Sequence, residues 1–148
     1  MNRCIEDLSV GMSDSISKTV TEADIILFAG ISTDVNPVHL DEEFARTTSF
    51  GGRIAHGMLS AGFISAVVGT RLPGPGTIYL AQSLRFKAPV RPGDTVTATV
   101  TITEIIPEKK RIKLDTVCTV RGKPVIEGDA TVMLPSRNDK PAKPAGAE

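Results

Sequence analysis

The run from His56 to Thr70, HGMLSAGFISAVVGT, carries no formal charge when His56 is neutral. Apolar and small residues occur all round its helical wheel, a pattern that predicts a buried helix rather than a half-exposed one. Pro73, Gly74, Pro75 and Gly76 end it. Beyond them the period changes from 3.6 to 2. Ile78, Leu80, Leu84 and Phe86 alternate with polar or small residues, with Gln82 interrupting. Val96, Ala98, Val100 and Ile102 alternate with threonines. Ile112, Leu114 and Cys118 share a face with Thr116, and Ala130, Val132 and Leu134 mark a fourth strand. The joins Pro92–Gly93–Asp94, Pro107–Lys110 and Arg121–Gly122–Lys123 are short, as antiparallel neighbours require.

One apolar helix and a meander with one apolar face can cover each other if the sheet wraps the helix. The expectation is an α+β architecture of the hot-dog kind. An exposed sheet edge would remain, and pairing with a second copy would cover it, so a homodimer is expected. The amino-terminal part reads as strand over Ser15–Val20. A helix over Glu22–Ala29 follows, capped by Thr21 with Asp24 and stopped at Gly30. Asp41 can cap a short helix through Arg46. Residues 1–135 form one domain on this reading. Residues 136–148, rich in Pro, Ala, Lys and Gly, read as a disordered tail.

The charge excludes several classes. Seventeen Lys+Arg balance seventeen Asp+Glu, aromatics are 4% and Trp is absent, so neither a basic nucleic-acid footprint nor a base-stacking platform is expected. No apolar stretch is long enough to cross a membrane. Cys4 and Cys118 form no C-x-x-C pair, no cluster has metal-ligand spacing and no phosphate-binding glycine loop occurs. A cytoplasmic protein without metal or cofactor is expected.

Both histidines sit beside chain breaks. In Asp34–Val35–Asn36–Pro37–Val38–His39 a carboxylate and an imidazole flank a loop kinked at Pro37, and such a loop can aim both into one cavity as an acid/base pair. Asn36 can stiffen it with an Asx-turn. The plainer reading is that Asp34 caps a turn and His39 starts a helix. In Ala55–His56–Gly57–Met58 the first turn of the long helix offers free N–H groups to a developing oxyanion, and Gly57 presents no Cβ to an approaching ligand. Alternatively, His56 and Gly57 only shape the helix start. Ser60 is expected to bond the carbonyl one turn back, while Ser65 could reach a pocket. Arg85, Lys87 and Arg91 form a basic set that is either a solvated face or a phosphate contact.

The segment Phe28–His39, with D-x-N-P-x-H at its end, resembles the hydratase 2 motif of MaoC-like (R)-specific enoyl-CoA hydratases. Arg53–Leu59 is similar to the start of that family's central helix, and Gln82–Val90 with Gly93–Asp94 to its first long strand and turn. The resemblance covers about Ser9 to Pro135 and implies a hot-dog fold and reversible hydration of a trans-2-enoyl thioester, carried by CoA or acyl carrier protein. It implies that Asp34 and His39 hold and activate one water. The Gly57 amide would bond the thioester oxygen, Ser65 would support the pocket, Asn36 would position the loop and Val68 would lie at the pocket floor. Hot-dog domains also serve as acyl thioesterases or as non-catalytic acyl-binding modules, so the activity is what an assay must decide.

Overall fold

The computed structural model describes residues 3–139. Six strands form one antiparallel sheet: β1 (Ser13–Thr19), β2 (Ile78–Gln82), β3 (Arg85–Phe86), β4 (Thr95–Ile106), β5 (Arg111–Val120) and β6 (Lys123–Met133). Their spatial order is β1-β4-β5-β6-β2, with β3 also on β6. Four helices join them: α1 (Glu22–Ser32), α2 (Pro37–Leu40), α3 (Glu42–Arg46) and α4 (Gly57–Thr70). The sheet wraps α4, the α+β hot-dog arrangement that the two periodicities predict.

Period-2 alternation does what it should in β4. Val96, Ala98, Val100 and Ile102 point into the core and are almost wholly buried. The intervening threonines face outward, where Ser13, Ser17 and Thr19 of β1 pair hydroxyl to hydroxyl with Thr101, Thr97 and Thr95 at 2.7–2.9 Å. Such cross-strand pairs stabilise the sheet from its wet face. Ile112, Leu114, Thr116 and Cys118 of β5 are fully buried beneath α4. Burial pushes the Cys118 thiol up to about 12, so it behaves as a small core hydrophobe.

The central helix is less enclosed than its composition suggests. Leu59, Ser60, Ile64, Val67 and Val68 face the sheet, but Met58, Gly62, Ser65 and Gly69 lie on an open stripe. Small residues are compatible with burial, but among the described residues this stripe stays exposed. The first helix also differs from expectation. Thr21 and Asp24 form the predicted capping box. Gly30, however, does not stop α1, which runs on to Ser32 and ends where Thr33 takes φ 64°. Ser32 Oγ bonds the Phe28 carbonyl at 2.6 Å and supports that extra turn. Ile26 faces solvent, and Ile25 and Ala29 are the buried positions.

The expected strand over Ile78–Phe86 is broken in two. Ser83 leaves the ladder to clamp Asp129, donating from its N–H to the carbonyl at 2.8 Å and from Oγ to the carboxylate at 2.7 Å. Gly128 makes room for this, since a Cβ there would lie 1.9 Å from the Ser83 carbonyl oxygen. Ile78 and Leu80 of the edge strand β2, and Phe86 of β3, are exposed rather than inward-facing. Of the expected tail, Ser136–Asp139 form a turn closed by Asp139 N–H to the Ser136 carbonyl at 3.0 Å, and Ser136 Oγ donates to Glu6. The rest of the tail lies outside the described residues.

Candidate active site

The loop between α1 and α2 is built from short polar side chains bonding backbone. Ser32 Oγ accepts from the Asp34 N–H, Asp34 Oδ1 from the Asn36 N–H, and Asn36 Oδ1 from the Val38 N–H, each at 3.2 Å. The last is the predicted Asx-turn, with Pro37 at the first helical position, where its missing N–H costs nothing. This ladder fixes Asp34 on one side of α2 and turns His39 inward from the other. His39 Nδ1 donates to the Ile54 carbonyl at 2.8 Å. In the neutral imidazole this leaves Nε2 as a bare lone pair, and it faces Asp34 Oδ2 at 4.0 Å. That gap is too long for a direct hydrogen bond. It matches two groups sharing one small molecule. The carboxylate is half exposed and the imidazole nearly buried, so the pair opens to solvent from the Asp34 side.

The sequence reading left His56 as a residue that shapes the helix start. Its place is more central. The ring is buried, donates from Nε2 to the Asp34 carbonyl at 2.9 Å, and lies 3.9 Å from the His39 ring, centroid to centroid. Phe28 closes the other side at 4.8 Å. A carbonyl can only accept, so His56 Nε2 carries the proton. The ligating atoms of Asp34, His39 and His56 fall within 4.8 Å of one another, a cluster that spacing along the chain did not reveal. Two ring nitrogens of this cluster are spent as donors to carbonyls, which leaves the Asp34 carboxylate and His39 Nε2 without a hydrogen bond between them. The signal for His56 was its position directly before an uncharged helix; its bond to residue 34 is visible only in three dimensions.

Gly57 is the first residue of α4, and its N–H has no intrahelical partner. The reason for glycine is not the one expected. A Cβ here would stand 2.5 Å from the Phe86 ring, so β3 packs where a ligand was imagined. Gly57, Ser60 and Phe86 line a pocket of about 290 Å³ with Phe50, Ile54 and the Lys87–Val90 segment. Ser60 does not bond the carbonyl one turn back, as a helical serine was expected to. Its Oγ is buried without a partner. Ser65 is exposed and does not line this pocket. Eight residues of helix displace it about 12 Å from Gly57 along the axis. Val68 is buried in the core beneath.

The segment ahead of α4 is anchored by two arginines. Arg53 bridges Glu22 at 2.6 Å and Glu42 at 3.5 Å, and its pKa is raised first by the hydrogen bond to Glu22. Arg91 donates to the carbonyls of Gly52 at 3.2 Å, Arg53 at 3.4 Å and Phe50. Arg91 therefore leaves the basic set for a structural task. Arg85 and Lys87 stay exposed, Lys87 4.0 Å from Glu127.

A hot-dog fold with a carboxylate and an imidazole facing each other beside a free helix N-terminus defines a class of thioester-handling folds. The chain belongs to the MaoC-like family: the MaoC like domain matches residues 10–128. An (R)-specific enoyl-CoA hydratase from Rhodospirillum rubrum is 67% identical over 132 residues, covering 89% of this chain and 92% of that protein. A 3-hydroxybutyryl-CoA dehydratase from Methylorubrum extorquens is 48% identical, covering 90% of this chain and 85% of that protein. Among solved structures, the (R)-hydratase of Aeromonas caviae involved in PHA biosynthesis superposes with a TM-score of 0.85 at 44% identity, covering 88% of this chain and 99% of that one. An unliganded R-hydratase from Pseudomonas aeruginosa gives 0.86 at 41% identity, covering 99% and 97%.

Proposed function

We infer that this protein is an (R)-specific enoyl-CoA hydratase, a hydro-lyase that adds water reversibly to a trans-2-enoyl-CoA and gives an (R)-3-hydroxyacyl-CoA. The observation that carries the reading is the pairing of Asp34 Oδ2 with the His39 Nε2 lone pair at 4.0 Å, in a chain 67% identical to a hydratase of that specificity. The substrate is electrophilic at Cβ, and its thioester oxygen gains charge as water adds. A water placed between Asp34 and His39 has two acceptors for its protons. One takes a proton as the oxygen attacks Cβ, and one of the pair returns a proton to Cα. The Gly57 amide donates to the enolate-like oxygen at the positive end of α4. Asn36 holds the loop. The exposed Arg85 and Lys87 would meet the phosphates of the carrier, whether CoA or acyl carrier protein.

The exposed apolar edge of Ile78, Leu80 and Phe86 and the open stripe of α4 support a homodimer. A second copy would continue the sheet beyond β2 and cover Gly62 and Ser65, which gives Ser65 its route to a pocket. Sedimentation at twice the chain mass is the expected result; a monomer at micromolar concentration would remove the dimer. No helix among the described residues is long and apolar enough to cross a membrane. Two free cysteines, one of them buried, suit a reducing, cytoplasmic setting.

The deciding experiment mixes the protein with crotonyl-CoA. Loss of the enoyl-thioester ultraviolet absorbance, with (R)-3-hydroxybutyryl-CoA recovered, is expected. Release of free thiol instead would identify a thioesterase, and binding without turnover an acyl-binding module.

A further inference from the structure

Among the described residues, two buried side-chain polar atoms have no hydrogen-bond partner: His56 Nδ1 and Ser60 Oγ. They stand one turn apart at the start of α4, and the His56 ring lies 3.9 Å from the His39 ring, centroid to centroid. Buried polar groups are almost always satisfied, and an orphan costs about 1–3 kcal/mol. In the neutral ring His56 Nδ1 is a lone pair, because Nε2 carries the proton given to the Asp34 carbonyl. Ser60 is the group of the two that can donate.

The local bonding leaves that hydroxyl free. Ser60 Oγ makes no bond to the His56 carbonyl four residues back, the usual target of a helical serine. The neighbouring Cys118 thiol is spent on the Ser60 carbonyl at 3.6 Å. Side chains on a helix lean toward its N-terminus, so Ser60 projects back over the turn that Gly57 opens. Both residues line the same pocket, whose other walls include Phe50, Ile54, Phe86 and Val125. A hydroxyl and an unpaired amide thus line one mainly apolar cavity, whose wall residue Ile54 is bonded by His39.

We propose that Ser60 Oγ is a second hydrogen-bond donor to the substrate's thioester oxygen, acting with the Gly57 amide. The inference rests on the hydratase reading and adds a residue to it. As water adds at Cβ, negative charge builds on that oxygen, and two donors fixed on one rigid helix turn stabilise it without reorganising. No bond to Ser60 is made or broken, and its proton stays on Oγ. The orphaned hydroxyl of the free protein becomes satisfied when the thioester binds.

Three measurements test this. Wild-type protein is first shown to hydrate crotonyl-CoA; failure there would overturn the hydratase reading itself. Ser60→Ala is then expected to lower kcat by roughly 10²-fold with little change in KM, because the bond strengthens as charge develops. Its thermal midpoint should stay level or rise, since an unpaired buried hydroxyl has been removed. Ser60→Thr, which keeps the hydroxyl, should recover much of the rate. Finally, butyryl-CoA labelled with ¹³C at the thioester carbonyl binds without reacting. Its carbonyl stretch should move to higher frequency in Ser60→Ala than in wild type. A rate equal to wild type with an unmoved carbonyl band would overturn the proposal. If Ser60→Ala does not fold, Ser60→Cys, a weaker donor of similar size, carries the same infrared comparison, and an unmoved band there overturns it equally.

Discussion

Replacing Asp34 by Asn is expected to remove nearly all hydration of crotonyl-CoA while leaving the fold intact. The amide keeps an oxygen to accept the Asn36 N–H, so the loop ladder survives. It cannot accept a proton from water. His39→Gln likewise keeps a polar group near the Ile54 carbonyl but cannot titrate. Each single change should cost about 10²–10⁴-fold in kcat. The two groups face each other across 4.0 Å and serve one water in this mechanism. The double variant should then fall little below the worse single variant, because groups acting as a unit are not additive. Single-turnover rates of the three variants measure this. Losses that multiply would assign the residues separate tasks, and near-normal turnover by a folded Asp34→Asn protein would end the assignment.

The second large effect concerns the amide of Gly57. A direct Gly57→Pro change removes the N–H, and proline is tolerated at a first helical position. The structure complicates that experiment, because any Cβ at residue 57 meets the Phe86 ring at 2.5 Å. The comparison therefore belongs in a Phe86→Ala background, where both alanine and proline can fit. In that background Gly57→Ala retains the amide and Gly57→Pro does not. Turnover should differ between the two by roughly 10²–10³, the usual worth of one oxyanion donor. Circular dichroism and melting must match for the pair. Equal rates in matched, folded variants would take Gly57 out of the mechanism and leave it a packing residue under Phe86.

Much of this molecule was legible from its sequence, and the failures have a common cause. The capping box at Thr21, the cap at Asp41, the Asx-turn at Asn36 and the inward faces of β4 and β5 are decided by residues within a few positions of each other, and all appear as read. What differs depends on contacts that the local pattern does not signal, whether near or distant in sequence. Gly30 reads as a helix stop until Ser32 is seen bonding Phe28. The strand through Leu80 and Phe86 reads as continuous until Ser83 is seen clamping Asp129. Gly57 looks like room for a ligand until β3 delivers Phe86 against it. For the site, the Asp34–His39 pair was recoverable from one motif. The bond from His56 to the Asp34 carbonyl joins residues twenty-two apart and has no local signature. Helical serines usually bond the carbonyl one turn back, and no local pattern signals that the Ser60 hydroxyl stays without a partner.

The loop that carries Asp34 and His39 is tied to the strand-like segment before α4 at three points. Ile54 N–H donates to the Val38 carbonyl at 3.3 Å, His39 Nδ1 to the Ile54 carbonyl, and His56 Nε2 to the Asp34 carbonyl. Ala55 N–H extends the chain of bonds to the Val90 carbonyl at 2.7 Å, at the margin of the core. Loops of this kind ordinarily open by themselves, at little free-energy cost, long before a domain unfolds. Opening the loop here would break its bonds to the base of the central helix, so the proposed acid/base pair is expected to share the cooperativity of the core. Catalytic competence is then a property of the whole folding unit: it persists as long as the helix stays seated in its sheet and is lost in the same transition.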